Sequence, residues 1–200
     1  MNQKSTTSML VQRFKVYCLA SRPWSFSASF TGVLLGSALA WKFQSQLNLV
    51  LFLATTVAVL AVHSAGNLVN TYYDFINHFD TEKSDDLTLV KGLMSPAETA
   101  RCIASFYVVG VMAFVIILAL SPVKNEQLLI GLFTTGVLSS FLYTGGLGLK
   151  YVAMGDVLIV LTFGPLTSLF AYVILTGEIS LWVPAYAIPI AVATEAILHG

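Results

Sequence analysis

The chain has 200 residues, 56% hydrophobic and only 10% charged, with a net charge of zero and a mean hydropathy of +0.81. Soluble domains carry charge on roughly a quarter of their residues, so this composition excludes a soluble globular domain and indicates a polytopic membrane protein. No basic stripe or reader motif is suited to nucleic acid, and Cys18 and Cys102 have neither metal-ligand nor disulfide-framework spacing.

Residues 1–21 set Lys4, Arg13 and Lys15 among Met9, Leu10, Phe14 and Tyr17, with Arg22 following. The basic stretch is too long for a secretory signal, and no small-residue cleavage site closes the next segment. It predicts an interfacial amphipathic helix leading into the membrane. A mitochondrial presequence is the alternative, because no acidic residue precedes Asp74.

Six apolar runs follow, at residues 26–43, 47–73, 102–121, 127–143, 155–176 and 180–199. At ~1.5 Å rise per residue each can cross the ~30 Å hydrocarbon core. Gly32 with Gly36, and Gly131 with Gly136, predict close helix contacts. Gly164 with Pro165 predicts a tolerated break, and Pro184 and Pro189 a bend in the last run. One side of the membrane would collect Lys4, Arg13, Lys15, Arg22, Lys83, Lys91, Arg101 and Lys150, the other only Lys42 and Lys124. Eight against two places the N-terminus and the loop after the second span in the cytosol.

Residues 67–86 carry the chemistry. They gather Asp74, Asp80, Glu82, Asp85 and Asp86 directly after a stretch almost without polarity. On a helix Asn67, Asn70 and Asp74 share one face, and His63 joins it. A carboxylate and two amides at the mouth of a membrane helix are costly unless they bind something. Clustered carboxylates beside carbonyl donors suit Mg²⁺, which keeps waters and bridges to substrate phosphates. The plainer reading of Glu82, Asp85 and Asp86 is a solvated loop, and that of His63 a satisfied interior histidine. Ser95, Pro96 and Glu98 predict a capping box that opens the next helix.

Gly145, Gly146 and Gly148 would let the backbone approach a bulky anion, and Lys150 is the basic residue beside them. Lys150 also reads as an orientation-setting interfacial lysine, and Asp156 as a carboxylate favouring a helix N-terminus. Tyr72, Tyr73 and Tyr143 could stabilise a carbocation through their ring faces or serve as interfacial anchors. Glu195 lies four residues before His199, an acid in the last apolar run.

Asn70 and Asp74, then Asp80, then Lys83, Ser84, Asp85 and Asp86, resemble the first aspartate-rich motif of UbiA-type intramembrane prenyltransferases. The six-residue step from Asp74 to Asp80 resembles the menaquinone-forming branch; in the ubiquinone branch the step is four, a position held here by His78. Arg22, Pro23, Trp24 and Ser25 resemble the family's approach to its first span. Residues 143–146, 149–151 and 155–156 resemble its second cytosolic loop, and Gly164 with Pro165 also matches. Departures are His78, where glycine is usual, and Gly32, where proline is common.

The resemblance implies an all-α, polytopic transmembrane helical bundle, UbiA-like, whose central cavity opens laterally to lipid. Residues 22–200 would form a partial prenyltransferase domain behind the interfacial segment 1–21. An isoprenyl diphosphate, geranylgeranyl-like, would bind through Mg²⁺ and ionise to an allylic cation attacked by a quinol-type aromatic acceptor, as in vitamin K biosynthesis. Asn70, Asp74, Asp80 and Lys150 would be catalytic. The metal would be held by Asn70, Asp74, Asp80, Asp85 and Asp86. Arg22, Asn67, Tyr72, Tyr73, Lys83, Tyr143 and Lys150 would contact substrate. An endoplasmic reticulum or Golgi membrane is implied, with a mitochondrial membrane as the alternative. The chain carries the first six of the family's larger set of spans and reaches Gly200 where a second aspartate motif is expected. A fragment, a shortened isoform or a mispredicted gene product would fit, with little or no turnover. The alternative function is a non-catalytic form that binds prenyl diphosphate or a membrane-protein partner.

Overall fold

A computed structural model of the protein describes the backbone of residues 3–199 and the side chains of residues 11–196. The side chains of Lys4, Met9, Leu10 and His199, named above, lie outside the described residues. Every regular element among them is helical. Helix α1 spans Gln3–Ala20, α2 Phe26–Gln44, α3 Leu49–Ile76, α4 Pro96–Leu120 and α5 Glu126–Leu142. The next rod is α6, Gly155–Leu161, continued through a π-helical turn at Thr162–Leu166 into α7, Thr167–Thr176; α8 is Trp182–His199. Short 3₁₀ turns sit at Pro23–Ser25 and Leu149–Val152.

The six apolar runs thus become six helical rods. Leu49–Ile76, Pro96–Leu120 and Gly155–Thr176 are long and apolar enough to cross a membrane, and Glu126–Leu142 is a shorter apolar helix. Helix ends follow the local chemistry. Asn48 caps α3 by accepting from the Val50 and Leu51 amides at 3.0 and 3.1 Å. The predicted capping box forms: the Ser95 hydroxyl accepts from the Glu98 amide at 3.2 Å, and the Glu98 carboxylate accepts from the Ser95 amide at 2.9 Å.

Lipid tails are as apolar as leucine, so close packing and hydrogen bonds rather than water exclusion hold such helices together. Helix α4 lies along α3, and α2 along α7. Gly36 sets the second contact, since a methyl there would lie 2.2 Å from the Ser168 carbonyl oxygen; at Gly32 it would lie 3.0 Å from that of Phe163. Gly164 lets the π turn meet α8, where an added methyl would lie 2.6 Å from Ala191 Cβ. Gly131 and Gly136 differ from expectation, because nothing lies within 4 Å of a methyl at either. Gly136 instead lines the central cavity, and Gly131 lies on a different side of α5 with open space beside it. Buried Leu51, Phe114, Ile117, Leu129, Phe170 and Val173 interlock α3, α4, α5 and α7, with the Phe114 and Phe133 rings stacked at 4.2 Å. Val108, Met112 and Val115 point outward from α4, as lipid-facing residues do.

Pro165 lies inside the π turn, where Thr167 covers the Thr162 carbonyl with its hydroxyl at 2.7 Å. Helix α8 runs on through Pro184 and Pro189. Helix α1 ends against the bundle: buried Ala20, with Val16 and Tyr17, packs on Leu68, Leu89 and Met94, and Arg13 pairs with Glu98 at 2.8 Å. The opposite end of the bundle is closed by Gln44, which donates to Glu178 at 2.8 Å and to the Tyr172 hydroxyl at 3.2 Å.

Candidate functional site

Helical periodicity alone builds one wall of the site. Val59, Val62, His63, Gly66, Asn67 and Asn70 fall at positions i, i+3, i+4, i+7, i+8 and i+11 along α3, one helical face, and all line a cavity of about 330 Å³. At one end the lining is polar: Arg22, Asn67, Asn70, Tyr143 and Lys150. Toward the other it is apolar, with Val59, Leu132, Phe133, Leu166 and Phe170. The eleven-residue step from Val59 to Asn70 corresponds to roughly 16 Å of helix rise, so the two ends are well separated.

At the polar end Asp74 is buried at 6% exposure and Lys150 donates to its Oδ2 at 2.8 Å. Tyr151 donates to Oδ1 at 2.5 Å and stacks on Phe79 at 4.5 Å. Lys150 also reaches Asn70 Oδ1 at 3.2 Å, and the Thr144 hydroxyl donates to the same oxygen at 2.8 Å. The loop after α5 places Lys150 by folding back, its amide bonding the Tyr143 carbonyl at 2.8 Å. Gly146 and Gly148 supply the left-handed turns this needs, at φ 58° and 56°. At Gly145 a methyl would meet the Tyr73 ring at 2.9 Å, so that glycine admits a protein ring rather than an anion.

A second charged pair lies beside the first. Arg22 takes φ 53°, uncommon outside glycine, and donates to Asp86 Oδ2 at 2.8 Å. Thr71 donates to the same oxygen at 2.5 Å and the Thr88 amide to Oδ1 at 2.9 Å. Burial works against the Asp86 charge, but the Thr71, Arg22 and Thr88 hydrogen bonds outweigh it and lower its pKa to about 2. Asp86 is therefore ionised at physiological pH. Asp80 shows the reverse: burial first, then the negative charges of Asp74 and Asp86, raise its pKa. Its position is held by a turn in which the Phe79 and Asp80 amides both bond the Asp74 carbonyl, at 2.9 and 3.2 Å. His78 makes that turn at φ 61°, taking the left-handed conformation that glycine adopts more readily.

Among the described residues no three histidine, cysteine or acidic side chains converge as a ready metal cluster. Asp74 and Asp86 are each neutralised by a cation of the protein, Lys150 and Arg22. The donor types nonetheless fit a hard divalent cation. Asn70 Oδ1 and the Asp74 and Asp80 carboxylates would be oxygen ligands, and a cation would offset the burial and the carboxylate repulsion that together raise Asp80.

Of the residues expected in the site, Arg22, Asn67, Asn70, Tyr143 and Lys150 line the cavity and Asp74 is bonded directly to that group. Asp80 and Asp86, like Tyr72, Tyr73, Lys83 and Asp85, are not in the cavity lining. The Tyr73 ring lies edge-on to Phe141 at 6.0 Å and to Tyr72 at 5.5 Å, and the Lys83 and Asp85 side chains are exposed. Asp156 occupies the first turn of α6, in keeping with its helix-end reading. Tyr151, Thr144, Thr71, Ser25 and Ser29 were not singled out as site residues by the sequence. Tyr151, Thr144 and Ser25 fall inside stretches already matched, but only the folded loops show what their hydroxyls contact.

The profile of the family described as the UbiA prenyltransferase family matches residues 29–200. The chain is 50% identical over 191 residues to UbiA prenyltransferase domain-containing protein 1 of Danio rerio, covering 96% of this chain and 56% of that protein. It is 50% identical over 189 residues to the Homo sapiens protein of the same description, covering 94% and 56%. A Drosophila melanogaster homolog is 46% identical over 197 residues, covering 98% and 55%. The chain thus spans about half the length of the curated relatives it matches.

Proposed function

The chain belongs to the UbiA prenyltransferase family, and from that premise we propose that it transfers an isoprenyl group from a prenyl diphosphate to a naphthoquinone-type acceptor with Mg²⁺. Its apolar helices make it an integral membrane protein. The observation that supports the reading is the cavity, whose cationic and amide-lined end grades into an apolar one. A diphosphate head joined to a hydrocarbon tail has the same polarity profile, and an apolar pocket with a few convergent polar groups is the usual form of a ligand site.

In this reading Lys150 and Arg22 hold diphosphate oxygens, as a point charge and as a fork. Asn70, Asp74 and Asp80 hold the cation, which neutralises charge developing on the leaving diphosphate. Tyr151 and Thr144 keep Asp74 and Asn70 turned toward it. The apolar end takes the isoprenyl chain and keeps water from the allylic carbon. Tyr143, a ring of the cavity lining, stabilises the allylic cation in this reading. Helix α1 lies along the cytosolic membrane face, with the aspartate loop on the same side. The membrane is an endomembrane of the endoplasmic reticulum or Golgi.

The direct test supplies membranes containing the chain with labelled geranylgeranyl diphosphate, reduced menadione and Mg²⁺. Prenylated naphthoquinone, formed slowly and lost with EDTA, is the expected outcome. Product that persists in EDTA removes the metal from the account. Product formed only with a benzoquinol or 4-hydroxybenzoate reassigns the acceptor.

A further inference from the structure

His63 sits seven residues below Asn70 on the cavity wall, roughly 10 Å along the helix, where the polar and apolar ends meet. Both ring nitrogens are engaged: Nε2 lies 3.2 Å from Ser25 Oγ and Nδ1 lies 2.6 Å from Ser29 Oγ. The surroundings decide which nitrogen carries the hydrogen. A serine hydroxyl has one hydrogen to give and two lone pairs to receive with. Ser25 gives its hydrogen to the Arg22 carbonyl at 2.8 Å and receives one from the Asn67 amide at 3.1 Å. Toward His63 it can then only accept, so Nε2 is protonated and Nδ1 is the bare nitrogen. Ser29 must donate to that lone pair. Ser29 and His63 are almost fully buried, both line the cavity, and the Phe26 and Phe163 rings flank the imidazole at 5.6 and 4.9 Å.

A hydroxyl aimed at a basic nitrogen across a 2.6 Å contact is the geometry of a proton relay. It stands outside the charged cluster that would handle the diphosphate. Resting on the prenyl-transfer reading above, we propose that Ser29 and His63 remove the hydrogen that the aromatic acceptor must lose. The carbon–oxygen bond to diphosphate breaks first, its electron pair leaving with diphosphate, and the acceptor's ring carbon then bonds reversibly to the allylic carbon of the resulting cation. The ring carbon–hydrogen bond then breaks, and its electron pair restores aromaticity. The proton passes to Ser29 Oγ while the Ser29 hydrogen moves to His63 Nδ1. The imidazolium, held by Ser25, returns the proton to the departing diphosphate or to water. Ser29 is the group touching the acceptor, and His63 acts through it.

The experiment compares Ser29→Ala and His63→Gln with the wild-type chain. It measures prenylated product, free prenyl alcohol, diphosphate release, and the isotope effect from an acceptor deuterated at the ring position attacked. Glutamine keeps hydrogen bonds to both serines but has no basic nitrogen. Product is expected to fall by about a hundredfold while diphosphate release continues and prenyl alcohol accumulates, because water captures the cation instead. A large isotope effect should appear in the variants and be small in the wild type. Wild-type product rates in both variants overturn the relay. So does equal loss of product and diphosphate release with no isotope effect, which marks a merely structural role. Absence of aromatic product from the wild type with every acceptor is a separate outcome: it overturns the prenyl-transfer reading, and the relay with it.

Discussion

Asp74→Asn is expected to lower prenylated product by about a hundredfold or more while leaving the helical bundle folded. Asparagine preserves the shape of the side chain and an oxygen that accepts from Tyr151, but it removes the negative charge. Two consequences compete. The Lys150 ammonium loses the partner it meets at 2.8 Å, a change that would be severe if the lysine were sealed inside. Its side chain is 36% exposed, so water at the mouth can solvate it, and the cost to stability is about 1 kcal/mol or less. The cation site loses its most buried carboxylate, and no neighbour compensates, because Asp86 is held by Arg22, Thr71 and Thr88. Loss of function should therefore far exceed loss of stability. Product assays beside melting curves in detergent separate the two; a variant with wild-type turnover would exclude Asp74 from the metal site.

Gly36→Ala is expected to be the most damaging single methyl. The new carbon would lie 2.2 Å from the Ser168 carbonyl oxygen and 2.8 Å from Ala171 Cβ, both on α7 and the first of them backbone. A flexible side chain could turn aside, whereas a helix backbone must move as a unit. Separating α2 from α7 also disturbs the cavity wall formed by Thr167 and Phe170. Overpacking typically costs about 1–3 kcal/mol, and this position should lie at or beyond the upper end. Gly131→Ala is the control, since open space surrounds it and alanine favours a helix by up to about 1 kcal/mol. The first variant should melt well below the wild-type chain in detergent and the second at or above it. Equal melting temperatures for the two would remove the close α2–α7 contact.

Much of this architecture was legible in the residues. Apolar run length located the six rods, and the Ser95 and Glu98 spacing located the start of α4. The shared face of Asn67, Asn70 and Asp74 led to one wall of the cavity, because helical period is a local property. The same period accounts for Tyr72: two residues past Asn70 is about 200° around the helix, away from the cavity. The partners of Asp74 were harder to read. Lys150 and Tyr151 lie 76 and 77 residues further along, and only the folded 143–151 loop brings their side chains together. The tautomer of His63 likewise depends on Arg22, Ser25, Ser29 and Asn67 on two helices and a turn. Gly131 and Gly136 show the limit of a small-residue pattern, which permits close contact without naming the partner that makes it.

The claim that the cavity holds a prenyl diphosphate can be tested independently of turnover. A geranylgeranyl diphosphate analogue with a diazirine at its tail would be photolysed with the chain in membranes, and the labelled residues identified by mass spectrometry. Labelling is expected at Leu132, Phe133, Leu166 or Phe170 at the apolar end, suppressed by unlabelled diphosphate and weakened by Lys150→Gln. Labelling confined to the lipid-facing side of α4, at Val108, Met112 or Val115, and insensitive to competitor would contradict it.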